Sequence, residues 1–224
     1  MTGRIGLVLL ALAVLTGSAS AAGTKAGDPQ KRHSAADQAW AEAIRVQRSD
    51  LGSGDWRVEP SSSDDDSRAP KACKDPDLSD LVETGSAENP DFSRNGSFVG
   101  SGSIVFQNER QMTTAWNRMA RMPFTDCLIW GFKQGAAGSG ARVRITSSGP
   151  VRIARLAPRF KTGRVNVVVS GPAATIKGRF SYYFAARGRA SVILMVASFG
   201  KPATPISESL ERKLATLVAK RLKR

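Results

Sequence analysis

The sequence predicts an α+β fold: a twisted antiparallel sheet with helices packed on one face, in a single domain. Three observations carry this. Apolar residues recur at helical spacing in the first half, over residues 35–48 and again from Asn108 to Arg121. From Arg142 the period changes to two and holds to Phe199. A capped amphipathic segment then closes the chain.

Residues 1–21 read as a cleavable signal peptide. Arg4 supplies the positive leader, residues 5–16 are almost wholly apolar, and Ala19-Ser20-Ala21 offers the small residues that cleavage between Ala21 and Ala22 needs. The apolar run falls short of the roughly 20 residues a spanning helix requires. No cysteine follows it, so there is no thiol to acylate. The expected destination is extracellular, secreted or held at the cell envelope, with no membrane span in the mature chain.

Residues 22–33 are small, polar and charged and read as a flexible linker, and 34–224 as one domain. Ser34, with Asp37 in place of the usual Glu or Gln, resembles a capping box for a helix over 35–48, with Trp40, Ala43, Ile44 and Gln47 on one stripe. Residues 60–70, rich in Ser and Asp, read as an exposed loop. Consecutive Asp64, Asp65 and Asp66 lack the alternate spacing of a calcium loop. Phe98, Ile104 and Phe106 suit a strand, and Asn95-Gly96-Ser97 matches a glycosylation sequon. Asn108 caps a helix whose apolar face is Met112, Ala115, Trp116, Met119 and Ala120, and Pro123 ends it. Phe124, Leu128, Ile129 and Phe132 suggest a second short helical piece, and residues 135–140 a glycine-rich loop. Alternation then predicts strands around Val143–Ile145, Val151–Ile153 and Val165–Val169, and over 176–186 and 190–199, the last two joined by a turn at Arg187-Gly188. The run 191–196 is apolar enough to be a central strand covered on both faces. Thr204-Pro205 opens the last helix, with Glu208 and Glu211 near its positive end and Lys220, Arg221, Lys223 and Arg224 at its negative end.

The two cysteines, Cys73 and Cys127, both lie in the exported part. In an oxidising compartment they predict one disulfide, closing a 55-residue ring that stabilises by about 4 kcal/mol in the chain-entropy model. Their spacing is not that of a redox pair.

Charge is uneven. Residues 23–140 carry a net −3, whereas 141–224 carry 18 Lys and Arg against Glu208 and Glu211 alone, within a chain of net +14. An excess of this size outside the cell favours anionic neighbours, such as wall polymer or lipid surface. Arg142, Arg144, Arg152, Arg155, Arg159, Lys161 and Arg164 are the candidate anion-binding residues, because guanidinium groups suit bidentate contact with phosphate or carboxylate. Nucleic acid is the weaker partner, since aromatics do not interleave these basic residues.

Catalysis finds little support. His33 is the only histidine and lies outside the predicted elements, the two cysteines are committed to each other, and no Gly-x-Ser-x-Gly elbow occurs. One histidine cannot complete a zinc set. The reading is therefore non-enzymatic, with no cofactor and no metal. The expected function is an exported ligand-binding domain for an unknown small or polymeric envelope ligand. The alternatives are a basic protein that adheres electrostatically to anionic polymer, lipid or nucleic acid, and an unrecognised hydrolase.

Several landmarks together resemble exported actinobacterial sensor-like domains, the extracellular domains of receptor kinases of the mycobacterial kinase H type and related envelope proteins. They are residues 49–56 (Ser-Asp-Leu-Gly-Ser-Gly-Asp-Trp), Cys73 with Leu78 and Leu81, a strand over 99–106, Ala115-Trp116, Cys127-Leu128, the hairpin over 182–199 and the closing helix. The resemblance implies a sheet-and-helix domain with a ligand cleft. This chain has cysteines for one disulfide where those sensors resemble a two-disulfide design.

Overall fold

A computed structural model describes residues 27–59, 69–88, 91–138, 140–172, 174–200 and 206–224. The predicted signal peptide, its Ala21–Ala22 cleavage point and the Asp64–Asp66 stretch lie outside the described residues.

The sheet is built around two long strands, β8 (Thr175–Arg187) and β9 (Ala190–Gly200), joined by a tight hairpin in which Gly188 takes φ 55°. Both strands bury apolar side chains on both faces. Val192, Leu194 and Val196 enter one core with Tyr183 and Ala185, while Phe180, Tyr182, Ala197 and Phe199 enter another. Strand β9 pairs on its other side with β5 (Ser97–Phe106), and β8 pairs with β7 (Arg159–Ser170), which pairs with β6 (Arg142–Gly149). The far edge of β5 is shared by β3 (Val82–Glu88) and β4 (Asp91–Arg94). Strand β4 holds the short β2 (Arg57–Glu59). The nine strands form one open mixed sheet, antiparallel except where β1 (Gln30–Lys31) runs parallel to β3.

Among the described residues, four helices complete a single α+β domain. Helix α1 (Ala35–Ile44) is capped by Ser34, whose Oγ accepts from Asp37 N at 3.2 Å, and α4 (Glu208–Arg221) by Ser207, whose Oγ accepts from Leu210 N at 3.1 Å. Both cover one face. Ile44, Leu214 and Val218 are buried there with Val99, Val105 and Leu194. Helix α2 (Glu109–Arg121), capped by Asn108, and α3 (Phe124–Gly138) cover the other, with Pro123 between them. Met112 and Ala115 of α2 meet Phe106 and Ala186, and Leu128 and Phe132 of α3 meet Val165 and Phe180. The fold class is thus as expected, but helices lie on both faces of the sheet and not on one. The cause is the double-sided apolarity of β8 and β9, since an uncovered side would leave rings such as Phe180 and Tyr182 in water. Each such side chain contributes about 2 kcal/mol on burial.

Close backbone approach shapes two contacts. A Cβ on Gly85 would lie 2.4 Å from the Asp37 carbonyl, so α1 sits directly on β3. A Cβ on Gly163 would lie 2.3 Å from Tyr182 Cε1, so the Tyr182 ring lies flat over β7 on the α3 side, 4.6 Å from the Phe124 centroid.

Five local expectations are corrected. Residues 27–33, read as linker, are tied down: β1 pairs with β3, Leu78 N donates to Gly27 O at 2.6 Å, and His33 Nε2 lies 2.6 Å from the buried Glu83 Oε1. The first helix stops at Ile44, and a 3₁₀ turn follows at Arg48–Leu51. Residues 135–138 continue α3, because Ala136 is buried and packing overrides glycine's low helix propensity. Residues 151–158 form no strand, and Val151, Ile153 and Leu156 instead fold back onto the α1–α4 core. Ser207, not Thr204, caps the last helix. The predicted disulfide is present: Cys73, in a 3₁₀ turn, is bonded to Cys127 on α3, with the Cα atoms 5.4 Å apart.

Candidate anion-binding groove

The seven basic candidates do not converge, because period two sends neighbours to opposite faces. Arg159 and Lys161 share the α2–α3 face with Val165 and Val167 and are engaged there. Arg159 Nη2 donates to Thr113 Oγ1 at 2.6 Å, and Nη1 lies 3.5 Å from Glu109 Oε1. Lys161 Nζ donates to the carbonyls of Ala120 and Met122 at 2.9 and 3.1 Å, which complements the negative end of α2. Arg164 points to the other face, toward α4. Arg152 and Arg155 are exposed on the 151–158 segment and do not line the groove described next. Arg142 and Arg144 stand exposed on one side of β6, the side opposite Val143 and Ile145.

One of the seven, Arg144, joins a groove of about 560 Å³ on the α4 face. Cross-strand register assembles it. Arg144 pairs with Val168, Val168 with Lys177, and Lys177 with Gly200; one row inward, Asn166 pairs with Arg179 and Arg179 with Ser198. Three cations therefore face a concavity whose other polar groups are Thr146, Asn166 and Ser198. Thr146 Oγ1 donates to Asn166 O at 3.1 Å, and Asn166 Nδ2 to Ser147 Oγ at 2.8 Å, which orients both side chains. Arg144 and Lys177 have no ion pair among the described residues. Lys177 and Arg179 were missed as site residues. Their alternation with Ile176, Gly178 and Phe180 was legible, but their neighbours across strands were not.

The groove ends at the N-terminus of α4, where a buried ion cluster fixes Arg179. Its Nη2 donates to Ile206 O and lies 3.6 Å from Glu211 Oε2, and its Nη1 lies 3.8 Å from Glu208 Oε1. Arg164, one pair deeper, donates from Nε to Ser181 Oγ at 3.0 Å, from Nη2 to Glu211 Oε1 at 3.0 Å and from Nη1 to Glu208 Oε1 at 2.8 Å. Glu211 is wholly buried, while Glu208 is half exposed. The hydrogen bond from Arg164 holds the Glu208 carboxyl below the usual carboxylate range.

Two further polar clusters lie outside the groove. Glu83 Oε1 accepts from Ser86 Oγ at 2.6 Å and lies 2.6 Å from His33 Nε2, so one buried carboxylate oxygen serves both side chains. A shallow concavity of about 450 Å³ beside Asp77, Asp80 and Arg118 is self-neutralised, with Arg118 Nη2 donating to Asp80 Oδ2 at 2.8 Å. Among the described residues no three His, Cys, Asp or Glu side chains lie close enough to hold a metal ion, and no helix is long and apolar enough to cross a membrane.

No protein-family model matches this chain, and no curated protein matches it. Among solved structures it bears a loose resemblance to the extracellular domain of PknH from Mycobacterium tuberculosis, at 12% identity and a TM-score of 0.41, covering 84% of this chain and 97% of that one.

Proposed function

We propose that the chain is an exported, non-enzymatic binding domain that holds an anionic ligand of the cell envelope in the groove across β6, β7, β8 and β9. The observation that carries this is the convergence of Arg144, Lys177 and Arg179 on one concavity, with Asn166, Thr146 and Ser198 between them. Guanidinium and ammonium groups at fixed spacing select oxyanions, and a groove of this volume accepts a small ligand or a few units of a polymer. Arg164 bonds both nearby carboxylates, Glu208 and Glu211, and its hydrogen bond lowers the Glu208 carboxyl, which makes Glu208 a weaker base and supports the non-enzymatic reading. The apolar leader and the Cys73–Cys127 bond support an oxidising destination.

A second reading, adhesion without a pocket, is favoured by Arg142, Arg152 and Arg155, which are exposed and without ion pairs among the described residues. Binding of the mature domain to envelope polymer, followed by salt titration, separates the two. Groove binding predicts saturable binding that Arg144→Ala and Lys177→Ala each weaken at least fivefold while Arg152→Ala does not. Equal losses for all three, with steep loss of binding between low and moderate salt, would assign adhesion instead.

A further inference from the structure

The cluster at the inner end of the groove divides the work of its two arginines in a regular way. Each guanidinium sets its Nη2 against the buried Glu211 and its Nη1 against the half-exposed Glu208, Arg164 by hydrogen bonds of 3.0 and 2.8 Å and Arg179 at ion-pair distances of 3.6 and 3.8 Å. Glu211, with no solvent contact, is a fixed part of the fold. It takes the Tyr183 phenol at 2.6 Å as well, and its Oε2 has no hydrogen bond. Glu208 is different. It sits on the first turn of α4, its side chain is 53% exposed, and one oxygen faces both Nη1 atoms. Its other oxygen lies 3.9 Å from Arg212. Three guanidinium groups thus face two carboxylates, and only the exposed one can leave without burying an unpaired charge.

We propose that Glu208 is an internal stand-in for a ligand carboxylate: a carboxylate-bearing ligand in the groove displaces it and takes Arg164 Nη1 and Arg179 Nη1 together. The proposal rests on the groove being the binding site and adds its regulation and the chemical class of its ligand. Arg164 is held by Ser181 and Glu211, and Arg179 by the Ile206 carbonyl, so their two Nη1 groups give a carboxylate a preorganised seat. A carboxylate already occupies that seat, so a ligand of the same chemistry meets the same geometry. Glu208 competes at the high effective concentration of a tethered group, so weak anions are excluded and a ligand that also engages Arg144 and Lys177 is favoured.

The test is titration of the mature domain with succinate and, separately, with inorganic phosphate, read by calorimetry and by the arginine Nε–H signals in NMR. Glu208→Gln keeps the helix start and removes the competing charge. The expected result is succinate affinity at least fivefold above wild type, with shifts at the Arg164 and Arg179 Nε–H signals. No gain in affinity, or a gain with shifts confined to Arg144, overturns the proposal. A gain for phosphate without one for succinate overturns the carboxylate assignment. The same titration in an Arg144→Ala, Lys177→Ala background separates this proposal from the groove reading. A gain that survives there, with wild-type envelope binding unaffected by those two changes, keeps the stand-in and removes the outer groove. Loss of wild-type envelope binding in that background, with no gain from Glu208→Gln, does the reverse.

Discussion

The phenol of Tyr183 donates to Glu211 Oε1 across 2.6 Å, and neither side chain reaches solvent. Burial, and then the bond to Glu211, push the Tyr183 phenol above its ordinary pKa, so it stays a donor at any physiological pH. This contact joins the central strand β8 to α4 and holds the carboxylate against which Arg164 and Arg179 are set. Glu211→Ala leaves two guanidinium groups facing an apolar gap and is expected to cost about 3 kcal/mol. Tyr183→Phe removes only the donor and is expected to cost about 1 kcal/mol. Urea unfolding of the two variants checks the order. Equal losses would show that the arginines draw little from Glu211.

Two buried carboxylates set opposite pH dependences. Hydrogen bonds from Arg189, at 2.5 and 2.6 Å, lower the Asp37 carboxyl to about 2, with Arg224 adding a third at 3.1 Å. Its unfolded value is about 3.9, so its contribution, about 2 kcal/mol, is fully present above pH ~4 and is lost as pH falls through about 2. Asp91 is raised to about 7 by burial and then by the charge of Glu88. Its contribution is fully present below pH ~4 and is lost as pH rises toward about 7, where ionising it inside the fold has a cost on the order of 3 kcal/mol. Asp91→Asn is therefore expected to stabilise the domain at pH 8 and to leave it unchanged at pH 4. Urea midpoints at the two pH values measure this, and a shift of the same size at both would place the effect outside ionisation.

The sequence made local chemistry legible and cross-strand chemistry opaque. The Ser34 and Asn108 caps, the alternation of β6 to β9 and the Cys73–Cys127 pair each follow from residues read in order. Glu208 and Glu211 were legible only as complements to a helix dipole, because their bonds to Arg164 and Arg179 depend on how α4 crosses β7 and β8. Grouping seven basic residues by proximity along the chain mixed both faces of β7. The same limit hid β3 and β4. Yet Asn95-Gly96, read as part of a sequon, was also a type I′ turn signal: both residues have positive φ, 47° and 75°, and they join β4 to β5.

Gly163 tests the packing on the α3 face. Its cross-strand partner Tyr182 lays its ring where a Cβ would stand, and the ring is held in turn by Phe124 and by Thr125 Oγ1, 3.0 Å from the phenol oxygen. A methyl group at 163 must push this ring off Phe124. Gly163→Ala is expected to destabilise by about 2 kcal/mol, as overpacking does, despite alanine's better backbone entropy. A neutral or stabilising result in thermal unfolding would mean that the ring yields freely.

The disulfide supplies the last test. It ties the 3₁₀ turn at Lys71–Cys73 to the first turn of α3, and so anchors the loop between β2 and β3 beside the helix that covers β6 and β7. The bond constrains mainly the unfolded chain, and a ring closed across a sequence separation of 54 corresponds to about 4 kcal/mol. Replacing both cysteines by alanine is expected to lower stability by up to that amount. The groove lies on the opposite face, its lining residues all come from β6 to β9, and neither cysteine is among them. Ligand affinity per folded molecule should therefore be unchanged. A calorimetric titration of the double variant at a temperature where it remains folded measures this directly, and a loss of affinity there would mean that α3 sets the curvature of the sheet beneath the groove.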